Sequence, residues 1–210
     1  QLLRDRDPRF KNKVFIEAAD TLTALQEIAK VHRSRFSIPL MAITGSNGKT
    51  TTKEMAASIL AHRFRLLKTE GNLNNHIGVP LTLLRLEAGH QAAVIEMGIN
   101  RPGELGRLCE IARPQAGLIT NVGPTHLEFL GDVEGVARAK AELLEGLTQG
   151  DMAILNADDE HFQALASRVK GDLLTFGLNS KADVTAPEVV FHPDRGPSFR
   201  LKIRTEFKTG

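Results

Sequence analysis

The 210-residue sequence has no tryptophan and no tyrosine, which removes the commonest stacking platforms for single-stranded nucleic acid, although phenylalanine and histidine remain. Its one cysteine, Cys109, rules out an intrachain disulfide and any multi-cysteine zinc site. Cys109 follows Glu104 in a helical apolar pattern and reads as a packing residue rather than a nucleophile. No apolar run approaches the length of a membrane helix, and the opening Gln-Leu-Leu-Arg-Asp-Arg-Asp lacks a signal-peptide pattern. A cytoplasmic location without membrane insertion is therefore expected. An excess of one charge is missing too: 27 basic and 25 acidic side chains leave a formal charge of +2, spread along the chain, with no footprint for nucleic acid or anionic membrane. What is present, 41% hydrophobic residues in a chain of one large domain, can bury a core.

The stretch from Pro39 to Ile59 organises the rest. Leu40 to Ile43 is a short apolar run with the look of a buried strand, and it stops at a turn built on Gly45 and Gly48 that opens into a helical pattern. Strand, glycine turn and helix together make a phosphate cradle: glycine lets backbone N–H groups converge on an anion, and the helix start adds unpaired N–H groups and a positive dipole end. Lys49 supplies a point charge for the outer phosphates and Thr50 a hydroxyl for a magnesium ion. In the usual G-x-x-x-x-G-K-[ST] loop the first glycine would fall at Ile43, whereas the turn glycine here is Gly45, so the loop is shortened. Nucleoside triphosphate binding is the expectation.

Asp20 is a plausible cap for a helix with apolar residues at Leu22, Leu25, Ile28 and Ala29, and Val14 to Glu17 reads as a short strand before it. After the loop, Met55, Ala56, Ile59 and Leu60 form the expected apolar stripe of the next helix. Strands are expected at Leu66–Thr69, Ala92–Glu96, Ala116–Thr120, Met152–Leu155 and Leu173–Phe176. Between them come a loop at Gly71–Pro80, a short helix at Leu81–Leu86, a helix with Pro102 at its first position through Ile111, and a long helix from Asp132 to Leu147. A further helix is expected to be capped by Asp158 or Asp159. This alternation is that of an α/β fold with a mostly parallel sheet covered by helices on both faces. Beyond Asn179 the helical pattern vanishes, and Val184–Val190 with Ser198–Ile203 reads as an antiparallel hairpin.

Ligands of open α/β sheets gather outside the carboxyl ends of the strands, which singles out Thr44 and its loop, Glu96, Asn121 near His126, and Asn156 with Asp158. A carboxylate closing Ala-Ala-Val-Ile-Glu stands where a metal beside phosphates would be held; a solvated strand end is the plainer reading. His126, in Asn-Val-Gly-Pro-Thr-His, is either a metal or phosphate contact or a surface residue. Lys140 is the sharper anomaly, because at about 100° per residue it falls within the stripe of Val133, Val136, Ala137, Leu144 and Leu147. It points inward, and it either snorkels or has its amine made reactive by desolvation. Asn72, Asn74 and Asn75 line a ligand or simply suit a turn.

These residues resemble the Mur ligases, the ATP-dependent amide-forming enzymes of peptidoglycan precursor synthesis. The short loop Thr44-Gly-Ser-Asn-Gly-Lys-Thr-Thr-Thr-Lys53 carries the likeness. Three more stretches, beginning at Gly71, Glu96 and Ile119, are similar to the family branch that adds D-alanyl-D-alanine to UDP-N-acetylmuramoyl-tripeptide. The resemblance implies that Gly45, Ser46, Asn47, Gly48, Lys49, Thr50 and Thr51 wrap the phosphates of ATP, with Thr50 on a first Mg²⁺. It further implies that Glu96, His126 and a carbamylated Lys140 hold a second Mg²⁺, and that Lys49, His126 and Lys140 serve catalysis. The chemistry implied is phosphoryl transfer to a carboxylate and attack of an amine on the acyl phosphate, by a monomer. Residues 1–38 would be the tail of an N-terminal substrate domain with a lead-in helix, and residues 39–210 an incomplete central ATP-binding domain. Such a piece is expected to show no ligase turnover alone. The alternatives are a folylpolyglutamate-type ligase or a non-catalytic nucleotide-binding module; a GTPase-type switch is disfavoured because no Asn-Lys-x-Asp motif occurs.

Overall fold

A computed structural model describes residues 17–178 and 181–204, so most of the strand expected at Val14–Glu17 lies outside the described residues. Helix α1 (Thr21–Arg33) starts where Asp20 accepts hydrogen bonds from the N–H groups of Leu22 and Thr23, at 3.0 and 3.2 Å. The chain then alternates: β1 (Leu40–Thr44), α2 (Lys49–Ala61), β2 (Leu66–Lys68), α3 (Gly78–Leu83), β3 (Ala92–Glu96), α4 (Glu104–Ala112) and β4 (Ala116–Ile119). It continues with α5 (Leu127–Leu130), α6 (Val133–Glu145), β5 (Met152–Asn156), α7 (Phe162–Ala166), β6 (Asp172–Gly177) and β7 (Val184–Thr185). Strands β8 (Val189–His192), β9 (Gly196–Phe199) and β10 (Lys202–Ile203) close the described region.

Eight strands form one sheet in the order β10-β7-β6-β5-β4-β1-β3-β2, parallel except where β10 meets β7. From β1 the chain steps outward to β2, then back through β3, β4, β5 and β6 in the opposite direction. Right-handed crossovers put α2 on one face and α3, α4, α6 and α7 on the other. The packing agrees: α1 lies on α3 and α4, α4 on α6, and α6 on α7, while α2 packs on β1, β2 and β3. Along β4 and β5 the residues facing the multi-helix side, Gly117, Ile119, Ala153 and Leu155, are buried, whereas Leu118 and Ile154 opposite are half-buried and Met152 is exposed. The larger core therefore sits on the multi-helix side of the sheet, while Ile43, Val94 and Ala57 are buried on the face covered by α2. The hairpin at the end is built in two registers, Thr185 opposite Lys202 and Val189 opposite Phe199, with one more residue between them on the first arm than on the second.

Several local expectations shift. The stripe of α2 is not buried: Met55 is 63% and Ile59 70% exposed, and the inward face is Lys53 and Ala57. The azimuth of α2 is set at its first turn, where Thr50 and Lys53 are tied to groups on the strand ends, rather than by its largest apolar side chains. Helix α3 begins at Gly78, inside the expected loop, because Asn75 Oδ1 accepts from the N–H groups of Ile77 and Gly78 at 3.0 and 2.8 Å. Pro102 precedes α4 instead of opening it, and the helix is capped from outside: Glu142 of α6 accepts from the N–H groups of Gly103 and Gly106 at 2.7 and 2.9 Å. Helix α5 is an addition, and α7 starts after His161 with no side-chain cap on its own N–H groups: Asp158 accepts from Leu178 N–H, while Asp159 accepts from Val122 N–H and, one residue before the helix, from His161 N–H at 2.8 Å.

Arg33 holds the base of the molecule together. Its guanidinium, on a residue 4% exposed, donates to the carbonyls of Ala112 at 2.9 Å and Ile38 at 3.0 Å, and to that of Phe36. It thereby satisfies the last turn of α4 and the entry to β1 together. Arg33→Met is expected to destabilise the fold by about 3 kcal/mol, through three carbonyls left without a donor. A urea midpoint equal to that of the parent protein would contradict this role.

Candidate functional site

The end of β1 and the start of α2 meet the carboxyl ends of β3, β4 and β5. Gly45 has φ +150°, and a Cβ there would lie 1.8 Å from Thr120 Oγ1, so the turn requires glycine on both counts. Gly48, with φ +78°, stands at the N-cap of α2 and leads into a first turn whose N–H groups have no intrahelical acceptor. The loop is moored to the segment after β4. Ser46 N–H donates to Asn121 O at 2.9 Å, Asn47 N–H to Asn121 Oδ1 at 3.0 Å, and Ser46 Oγ to Gly123 O at 2.9 Å. Thr120 Oγ1 and Asn121 Nδ2 both donate to Asn47 O, at 2.6 and 3.0 Å. Ser46 and Asn47 thus shape the loop with their N–H groups, and the anion-facing donors are those from Gly48 onward.

Lys49 is half-buried and folds across the turn, its Nζ donating to Gly45 O at 2.8 Å and Ser46 O at 3.1 Å. Burial pushes its pKa down, and the charge of Glu96 opposes that. Glu96, 1% exposed, receives Thr50 Oγ1 at 3.1 Å and Asn74 Nδ2 at 2.8 Å on one oxygen, Oε1. Its other oxygen, Oε2, is buried without a hydrogen-bond donor. A carboxylate oxygen enclosed beside a hydroxyl and a phosphate turn has the chemistry of a hard-cation ligand.

Lys140 points inward as its helical position predicts: it is 4% exposed, and burial, helped by the charge of Lys49, lowers its pKa to about 8. The electrostatic influence of Lys49 reaches both Glu96 and Lys140, so these three expected site residues share one region. His126 is exposed at the N-cap of α5, in the left-handed region with φ +54°. Its loop is joined to the phosphate turn through Gly123, but no hydrogen bond joins its ring to Glu96 or Lys140 among the described residues. Groups of three or more His, Cys, Asp or Glu able to hold a metal are likewise absent among the described residues.

Asn156 and Asp159 support the site from the next strand. Asn156 Nδ2 donates to Thr120 O at 3.2 Å, and Asp159 Oδ2 accepts from Val122 N–H at 2.7 Å. Of the three asparagines after Gly71, Asn75 makes a turn and Asn74 reaches Glu96. Lys53, buried beside Glu96, is a residue to which sequence reasoning assigned no role. The one signal for it was a lysine four residues after Lys49 on the same helix face.

Fold and loop together define an α/β domain built around a phosphate-binding turn: the chain belongs to the Mur ligase middle domain family, which matches residues 43–208. Its relatives include two UDP-N-acetylmuramoyl-tripeptide--D-alanyl-D-alanine ligases. That of Bacillus subtilis (strain 168) is 39% identical over 193 residues, 91% of this chain and 41% of that protein. That of Escherichia coli (strain K12) is 46% identical over 190 residues, 89% of this chain and 41% of that protein. Among solved structures, the MurF ligase from Thermotoga maritima in complex with ADP superposes with a TM-score of 0.83 at 28% identity, covering 97% of this chain and 47% of that one. The chain thus spans less than half the length of these relatives.

Proposed function

We propose that this chain is the ATP-binding centre of a ligase that joins D-alanyl-D-alanine to UDP-N-acetylmuramoyl-tripeptide in peptidoglycan precursor synthesis, acting as a monomer in the cytoplasm. The observation that carries the reading is the buried Glu96, which accepts from Thr50 beside the shortened phosphate turn, with the inward Lys140 within the electrostatic reach of Lys49. The names of the relatives and the ADP complex of one of them support it.

A carboxylate repels nucleophiles, so it must be activated before an amine can attack. The first turn of α2 and Lys49 would bind and orient the ATP phosphates, offsetting charge as the terminal phosphoryl group passes to the substrate carboxylate. The amine of D-alanyl-D-alanine then attacks the acyl phosphate and phosphate leaves. Thr50 would hold one Mg²⁺, and Glu96, His126 and carbamylated Lys140 a second; the donorless Glu96 Oε2 fits a cation on that side. Bound Mg²⁺ would supply charge neutralisation between phosphate and carboxylate. Asn74 and Thr50 keep Glu96 in place, and the mooring on Asn121 and Gly123 keeps the turn open towards its ligand.

The test is phosphate release by the full-length protein that carries this chain. Release is expected to require ATP, the UDP-linked tripeptide and D-alanyl-D-alanine together. Release dependent on glutamate instead would point to a folylpolyglutamate-type ligase, and nucleotide binding without turnover to a non-catalytic module.

The state of Lys140 gives a separate prediction. Only a neutral amine attacks CO₂, and with a pKa of about 8 roughly a quarter of Lys140 side chains are neutral at pH 7.5, against about one in a thousand for an ordinary lysine. At fixed dissolved CO₂ the carbamate should therefore increase as pH rises from about 6.5 to 8.5. Carbon-13 NMR with labelled CO₂ reads this directly. A signal that ignores pH, or that survives Lys140→Met, rejects the assignment.

A further inference from the structure

Lys53 is the largest of the fully buried side chains, 1% exposed, yet it carries a charge. An ammonium in such a place is tolerated only with partners. Its Nζ donates to Thr69 O at 2.9 Å and pairs with Glu54 Oε1 at 2.8 Å, while Glu96 Oε2 lies 4.0 Å away. Glu54 uses its other oxygen to pair with Lys68 on the exposed flank of the helix. The result is a row of alternating charges, Lys68, Glu54, Lys53 and Glu96, running from the surface to the phosphate turn.

The inner end of that row is asymmetric. Glu96 has two donors on Oε1, Thr50 and Asn74, and its own N–H is anchored on Thr69 Oγ1 at 2.9 Å. At 4.0 Å Lys53 is beyond hydrogen-bonding distance of Oε2. Thr69 O and Glu54 hold the ammonium back, so Lys53 balances the charge of the carboxylate without occupying its free lone pairs. A lysine whose only task was to tie α2 to β2 would not need a second carboxylate in its field.

We propose that Lys53 is a positioning residue for Glu96: restrained by Glu54, it neutralises the buried carboxylate while keeping Oε2 open to a divalent cation. The proposal rests on the ligase reading for the identity of that cation as Mg²⁺. Two variants separate it from a purely structural role. In Glu54→Ala the ammonium loses its restraint and turns to donate to Oε2, closing the cation position, whereas Glu54→Gln retains an acceptor for it. In Lys53→Met the carboxylate has lost its neighbouring charge and draws Lys49 away from the loop carbonyls.

The experiment is a Mn²⁺ titration of the full-length protein in the presence of ADP, followed by electron paramagnetic resonance. Mn²⁺ affinity is expected to fall about tenfold in Glu54→Ala and Lys53→Met and to stay within about threefold of the parent in Glu54→Gln. Glu54 is exposed, so its variants decide the matter even if Lys53→Met does not fold. Unchanged or tighter Mn²⁺ binding in folded Glu54→Ala, equal losses in the Ala and Gln variants, or no Mn²⁺ binding by the parent protein overturns the proposal. A parent protein that shows the expected pattern but forms no amide counts against the ligase reading and leaves the role of Lys53 standing.

Discussion

Lys49→Met in the full-length protein is expected to lower ATP turnover by about a hundred- to a thousandfold while leaving the urea midpoint nearly unchanged. The reason is the division of its contacts. Among the described residues the ammonium hydrogen-bonds only to the carbonyls of its own turn, Gly45 and Ser46, and it sits half-buried at the mouth of the loop, so water can replace it there. Nothing replaces it opposite the charge that builds on a transferring phosphoryl group, where a fixed cation in a low-dielectric site acts most strongly. A second consequence follows through Lys140. The charge of Lys49 is one cause of the lowered pKa of Lys140, so removing it lets that pKa rise and reduces the carbamate at a given pH. Steady-state kinetics with carbon-13 NMR of the same variant measure both. Turnover within about threefold of the parent would remove Lys49 from the chemistry.

Gly45→Ala should be more damaging to the fold and equally damaging to nucleotide binding, with a loss of about 3 kcal/mol or more. The new methyl would lie 1.8 Å from Thr120 Oγ1 and 3.2 Å from the Thr120 backbone nitrogen, on a residue whose φ of +150° L side chains rarely adopt. To make room the turn must leave β4, and the bonds from Ser46 and Asn47 to Asn121 leave with it. Removing the hydroxyl in a Gly45→Ala, Thr120→Ala double variant relieves only part of this, because the backbone contact and the φ remain. Gly48→Ala is the control: no atom lies within 4 Å of its added Cβ, so only the left-handed backbone is penalised, by about 1 kcal/mol. Urea titration and ADP binding read the series. A Gly45→Ala protein with the parent midpoint would mean that the turn tolerates the close approach.

The parts of the site legible in advance were those with a local signature. The Gly45–Thr51 turn follows a short apolar run and precedes a helical pattern; Glu96 closes another apolar run; Lys140 stands out because a charge interrupts an apolar period. Each of these depends on neighbours within one or two turns of chain. Asn74 was ambiguous for the opposite reason: its partner Glu96 is 22 residues away, and nothing in Gly-Asn-Leu-Asn-Asn distinguishes the asparagine that makes a turn from the one that reaches the carboxylate. Lys53 escaped because reading a helix by hydrophobicity assigns its inward face to Met55 and Ile59. In the folded chain that choice was made by Thr50 and Lys53 bonding to strand ends. Asp158 looked like a helix cap, and its carboxylate instead accepts from Leu178; Asp159 divides its oxygens between His161 N–H, just before α7, and Val122 N–H 37 residues back in the chain.

Apart from the short α5, the order of strands and helices, the phosphate turn and the inward lysine are consequences of short-range periodicity and backbone stereochemistry, and the amino-acid sequence determines them alone. Which face of α2 is buried, that Asn121 and Gly123 hold the turn, and that Glu96 keeps one oxygen without a donor were decided only in the tertiary structure. Those features depend on which strands become neighbours, and pairing β1 with β3 and β4 brings together groups that are tens of residues apart and carry no mark of each other in the chain.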